Sequence, residues 1–129
     1  MTIPADLKYT PSHEWVRVEA DGTLTVGITH HAQDLLGDMV FIEAPAAGRT
    51  LTKGEECAVV ESVKAASDVY APVAGEVTAA NSAVESSPEA INQDAYAAWM
   101  FKMKPDNAVD ITALMDAKAY QKFVDSEAH

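Results

Sequence analysis

Cysteine occurs once in the 129-residue sequence, at Cys57. That excludes an intramolecular disulfide and a cysteine-rich zinc site, and it points to a reducing, cytoplasmic compartment. Basic residues are scarce as well: nine Lys and Arg stand against twenty Asp and Glu, a formal net charge of −11. This balance excludes the positive footprint of a nucleic-acid or anionic-membrane binder and favours partners with a basic face. No apolar run approaches the roughly 20 residues of a membrane span. The opening Met1-Thr2-Ile3-Pro4-Ala5-Asp6 has neither the basic-then-apolar order of a signal peptide nor the Arg and Ser richness of a transit peptide, so a chain without a leader is expected. The six glycines never cluster into a phosphate-binding loop, and G-x-S-x-G is absent. Sequence gives no support for a facing pair of catalytic carboxylates.

The shortage of basic residues is uneven. From Gly54 to Phe101 there are eight acids and one basic residue, Lys64. The length and a 48% hydrophobic content suit one domain, residues 1–129, with one core. His13 to Val18 and Thr23 to Ile28 each alternate with period two around Asp21-Gly22, which predicts a hairpin whose second strand is half buried through Leu24, Val26 and Ile28. A short helix follows, with Thr29 as N-cap, Ala32, Leu35 and Leu36 at helical spacing, and Gly37 at its C-terminal turn. Strands are expected at Met39 to Ala44, on both sides of Lys64 between Glu56 and Ala71, at Glu76 to Ala80 and at Trp99 to Lys104. Ser82 to Asp94 reads as a loop. A helical cap spans residues about 106–126, with Asp106, Asp110 and Asp116 as candidate caps. Tyr120, Phe123 and Val124 share one face there, suited to packing on the sheet. Short strands without crossover helices predict a mostly β sandwich or barrel.

Few residues offer chemistry. Cys57 lies in an apolar strand, where a free cysteine is ordinarily a small buried hydrophobe. His30 and His31 are adjacent at a helix start, point about 100° apart, and read as surface histidines that do not jointly hold a metal in the i, i+4 manner. His13 fits either a solvated strand end or a polar pocket. Lys102, in Phe101-Lys102-Met103-Lys104, faintly suggests a biotinyl motif but sits inside a strand, which exposes an amine poorly. Lys64 is different: at the tip of a tight hairpin, followed by small Ala65 and Ala66, it presents its amine to a modifying enzyme. A covalently attached cofactor would then carry chemistry that no side chain here supplies.

The segment Glu61-Ser62-Val63-Lys64-Ala65-Ala66-Ser67-Asp68-Val69-Tyr70-Ala71-Pro72-Val73-Ala74-Gly75-Glu76-Val77 closely resembles the lipoyl-attachment region of the glycine cleavage system H proteins. Tyr9 to Val16, Val26 to Thr29, Ala32-Gln33 and Leu36 to Phe41 resemble that family's other signatures in order and spacing. The resemblance implies a flattened barrel-sandwich of the lipoyl/biotinyl type, two antiparallel sheets with a short internal helix and C-terminal helices. It implies lipoate in amide linkage on Lys64, with Glu61 and Gly75 at positions that help a lipoate ligase or lipoyl transferase recognise the hairpin. Ser12, Glu14 and Asp68 match positions of a cleft that shelters the aminomethyl-loaded arm, where carboxylates would stabilise a cationic amine. The implied role is a carrier and not an enzyme. It receives the aminomethyl group of glycine from a pyridoxal-phosphate glycine decarboxylase (P protein) and passes it to a folate-dependent aminomethyltransferase (T protein). A flavin dihydrolipoamide dehydrogenase (L protein) then reoxidises the arm. The alternatives are a lipoyl domain of a 2-oxoacid dehydrogenase and a carrier-like lipoate donor. One departure stands out: Ala98 replaces a family glycine, which puts a left-handed backbone there in doubt.

Overall fold

The computed structural model describes residues 3–127. In chain order these form β1 (Lys8–Tyr9), β2 (Glu14–Val18), β3 (Leu24–Ile28), α1 (His30–Leu36), β4 (Met39–Glu43), β5 (Thr50–Leu51), β6 (Glu56–Ser62) and β7 (Ala66–Tyr70). There follow β8 (Gly75–Ala80), α2 (Ser82–Ser86), α3 (Ala90–Gln93), β9 (Phe101–Pro105), a 3-10 helix (Ala108–Ala113) and α4 (Ala117–Glu127). Six strands make one antiparallel sheet in the order β1-β2-β3-β9-β8-β5, and β4-β6-β7 make a second. The expected two-sheet sandwich is what the chain builds.

Leu24, Val26 and Ile28 of β3 face a core shared with Ile42, Val60, Val69, Val77, Phe101 and Met103 from both sheets. The Asp21-Gly22 turn is present, with Gly22 at φ 89 and the Asp21 carboxylate accepting from the Thr23 N–H at 3.0 Å. The half-burial expected of β3 does not hold, because all five of its residues are buried. Gly27 pairs with Trp15 across the β2–β3 ladder, and a Cβ on Gly27 would stand 2.7 Å from the Trp15 indole. The indole fills the space that glycine leaves. It belongs to a second apolar cluster, with Leu7, Tyr9, Tyr120 and Val124, that α4 closes over the far face of the sheet. Tyr9 and Tyr120 stack at 4.6 Å. The apolar face of the tail therefore serves packing, and Asp116 caps its helix by accepting from the Ala119 N–H at 2.8 Å.

Three local expectations need correction. Residues 82–94 are not a plain loop: α2 and α3 form there, each anchored by one buried residue, Val84 and Ile91. Helices of four or five residues are too short to show a 3.6-residue period. The cap of the 3-10 helix is Asn107, not Asp106 or Asp110, since its side chain accepts from the Val109 N–H. On α1 the buried residue is Gln33, whereas Leu35 is 60% exposed. Ala98 needs no left-handed backbone, because His13, at φ 69, is the one non-glycine residue with positive φ among the described residues.

Candidate lysine-modification site and the adjoining cleft

Strands β6 and β7 pair from Glu56 to Tyr70, with Glu61 opposite Ala66, and leave Val63-Lys64-Ala65 as the turn. Ser62 organises that tip. Its N–H donates to the Ala65 carbonyl at 2.8 Å, and its Oγ accepts from the N–H groups of Lys64 and Ala65 at 3.1 Å each. A serine bonding backbone groups two and three residues on is a recognised turn device, and it is the sequence signal for this tip that strand alternation does not supply. The Lys64 amine makes no ion pair among the described residues. Its stem runs across Gly37, where an added Cβ would meet Lys64 Cε at 3.4 Å.

That corner is braced from three directions. The Val63 N–H donates to the Asp38 carbonyl at 3.0 Å, and Met39 pairs with Ser62 in the β4–β6 ladder. Asn92 of α3 accepts from the Met39 N–H at 2.8 Å and donates at 2.9 Å to both the Gly37 carbonyl and Gln33 Oε1. Asn92 thus ties the end of α1 to the start of β4, beneath the lysine. No sequence motif marks it, since its partners lie more than fifty residues away.

Glu14 occupies a different environment. Alternation along β2 puts it on the same side as Val16, facing the core at the seam between the sheets, and it is 1% exposed. Its carboxylate accepts from the Thr10 hydroxyl on one oxygen and from the Tyr70 N–H at 3.3 Å on the other, so it bridges the loop before β2 to β7 of the opposite sheet. Burial pushes its pKa up to about 7, against the opposing effect of those two hydrogen bonds. The group lines a cavity of about 230 Å³ whose walls include Thr10, Ser12, Tyr70 and Leu114.

The structure therefore brings Ser12 and Glu14 together. Asp68 does not line that cavity; it is exposed on β7, on the same side as Ala66 and Tyr70, between the hairpin tip and the cavity mouth. Glu61 is exposed beside the tip. Gly75 begins β8 in the other sheet, where a Cβ would lie 2.2 Å from the Lys104 carbonyl oxygen, so close backbone packing alone demands glycine there. Cys57 is buried, its thiol pushed up to about 12 chiefly by burial, as befits a packing residue. Lys102 sits in β9 with its ammonium over the Trp99 ring at 5.1 Å. His30 stays beside Gln33, but the surface reading fails for His31, which turns inward toward His13.

A two-sheet sandwich that holds out an exposed lysine on a tight hairpin, and that has a cleft with a buried carboxyl group, fits a carrier module for a covalently attached group. The sequence model of the "Glycine cleavage H-protein" family matches residues 7–127. The chain is 81% identical to the "Glycine cleavage system H protein" of Thiobacillus denitrificans and 67% identical to that of Nitrosomonas europaea, over the full length of each. Its fold resembles the crystal structure of a glycine cleavage system H protein from Mycobacterium marinum with a TM-score of 0.85, at 37% identity, covering 93% of this chain and 97% of that one. The chain belongs to the glycine cleavage H-protein family, the non-catalytic carriers of the glycine cleavage system. No helix among the described residues is long and apolar enough to cross a membrane.

Proposed function

We propose that residues 1–129 act as one lipoyl-carrier domain in the cytoplasm, with lipoate in amide linkage on Lys64. In this reading the chain moves the aminomethyl group of glycine from the P protein to the T protein and then presents the reduced arm to the L protein. The observation that carries the reading is Lys64 itself, exposed and raised on a tip that Ser62 holds. A lipoyl group there supplies the disulfide chemistry that the side chains lack.

What this chain's own residues do follows from their placement. Ala66, Asp68 and Tyr70 form an outward track along β7, four residues at about 3.4 Å each, roughly 14 Å from the tip toward the Glu14 cavity. Glu14 is largely protonated below neutral pH when the cavity holds no cation, and a cationic amine beside it favours the carboxylate. Ser12 at the cavity wall and Asp68 on the approach offer further acceptors. Glu61 lies where a lipoate ligase or lipoyl transferase would grip the hairpin. Gly75 serves that enzyme through the close packing of β8 on β9.

The test is the intact mass of protein made with lipoate and its ligase, beside Lys64→Arg. One lipoyl addition is expected in the wild type and none in the variant. An unmodified wild type, under conditions that lipoylate a control domain, would overturn the proposal. Glycine-dependent carbon dioxide exchange with a glycine decarboxylase is expected to require the modified form.

A further inference from the structure

Three side chains distant in sequence meet on the side of the molecule closed by α4. His13 Nε2 lies 3.0 Å from Glu127 Oε1, and His31 Nε2 lies 3.8 Å from the same oxygen. One potential ligand atom from each of the three falls within 4.8 Å of the others. Bonds of about 2.0–2.2 Å in a tetrahedral zinc site place ligand atoms roughly 3.3 Å apart, so the observed distances bracket that edge. The two imidazoles are well packed, with His13 at 15% and His31 at 16% side-chain exposure, while Glu127 at 39% retains freedom to turn.

The His13 ring is held at both nitrogens. His13 Nδ1 stands 2.8 Å from the Tyr120 hydroxyl, which stands 2.7 Å from Thr29 Oγ1. With its proton on Nε2, His13 donates to Glu127; moving the proton to Nδ1, where it donates to Tyr120 and Tyr120 donates to Thr29, frees the Nε2 lone pair for a cation between it and Glu127. A ring nitrogen held in this way by an outer partner orients metal-binding histidines. His13 also holds the positive φ of 69°, a conformation that surrounding structure must enforce and that clusters at functional sites. Its backbone is fixed by donating to the Thr10 carbonyl and accepting from the Thr29 N–H. The net charge of −11 further favours a cation.

We propose that His13, His31 and Glu127 form a three-ligand site for a borderline divalent cation of the zinc type, with water completing the tetrahedron. Two imidazoles and one carboxylate suit zinc, and an open fourth position is common with three protein ligands. The site joins the loop before β2, the start of α1 and the last turn of α4. Occupancy clamps the C-terminal helix onto the sheet, next to Ser12 and Glu14 in sequence.

The experiment titrates zinc chloride into the unlipoylated full chain in metal-free buffer, so that no dithiol competes, and follows heat and the thermal midpoint. One zinc per chain is expected, with a rise in midpoint that a chelator reverses. His31→Gln and Glu127→Gln are each expected to weaken binding by at least about tenfold, and Tyr120→Phe by about tenfold through loss of the orienting bond. His30→Gln, one residue away, should bind as the wild type does. His13→Asn tolerates the positive φ, and its midpoint, compared with its own metal-free value, should no longer respond to zinc. No saturable uptake, or uptake unchanged in both His31→Gln and Glu127→Gln, would overturn the site.

Discussion

The two ends of the proposed path of the arm are built on opposite principles. At the tip, the side chains around Lys64 are conspicuously uncovered: Val63 is 67% exposed and Val40 57%, with Phe41 and Leu35 also open. Backbone hydrogen bonds and one half-buried amide, Asn92, give that region its shape. At the cavity, shape comes from burial, and an acidic side chain is held almost out of water between two sheets. Under the proposed role, a lysine that several enzymes reach is best carried on a surface that hides nothing. A carboxyl group meant to meet a cation gains selectivity when solvent cannot screen it.

The largest effect that would break this contrast lies at Glu14. Its folded pKa is raised, so the native state binds more protons than the unfolded chain between about pH 4.5 and 7, and stability falls as pH rises through that window. By pH 8 the lost stability is on the order of 3 kcal/mol. Glu14→Gln, which keeps the shape, is expected to abolish that part of the slope. Denaturant unfolding of both proteins from pH 5 to pH 8 checks it, and parallel slopes would mean that Glu14 is solvated. In the loaded protein, Glu14→Ala is expected to hasten loss of the aminomethyl group.

At the other end, Asn92→Ala removes the acceptor for the Met39 N–H and the donors to Gly37 and Gln33, all partly buried. A cost of about 2 kcal/mol is expected, since lost hydrogen bonds leave unsatisfied partners behind. Amide exchange at Met39 should quicken more than the global loss accounts for. Exchange that tracks global unfolding alone would show that the corner needs no brace.

Much of this was legible in the chain, and the reason is local. Asp21-Gly22, the Thr29 cap, Gly37 at φ 84 and the strands flanking Lys64 are all set by neighbours a few residues apart. Family resemblance then grouped Ser12, Glu14 and Asp68, of which Ser12 and Glu14 line one cavity. What escaped depends on tertiary contact. Trp15 covering Gly27 turned a half-buried strand into a buried one. Asn92, with partners 53 to 59 residues away, fell in a stretch read as loop. His13 and His31 belong to segments joined only when Thr29 bonds to His13, and Glu127 comes 114 residues after His13.

The smallest expected effect is the sharpest test of the open tip. Val63 is the most exposed large apolar residue among the described residues, and its backbone N–H, not its side chain, bonds to Asp38. Burying such a side chain fully would be worth about 1.5–3 kcal/mol, so leaving it in water is a real forfeit that the fold alone does not explain. Val63→Ser is therefore expected to leave stability within about 0.5 kcal/mol of the wild type. The rate of lipoylation should fall several-fold, because the apolar contact is made only when the modifying enzyme covers the tip. A midpoint lowered as much as in Asn92→Ala would show that Val63 packs within the carrier. An unchanged lipoylation rate would show that the ligase reads Lys64 and its strands without touching the apolar tip.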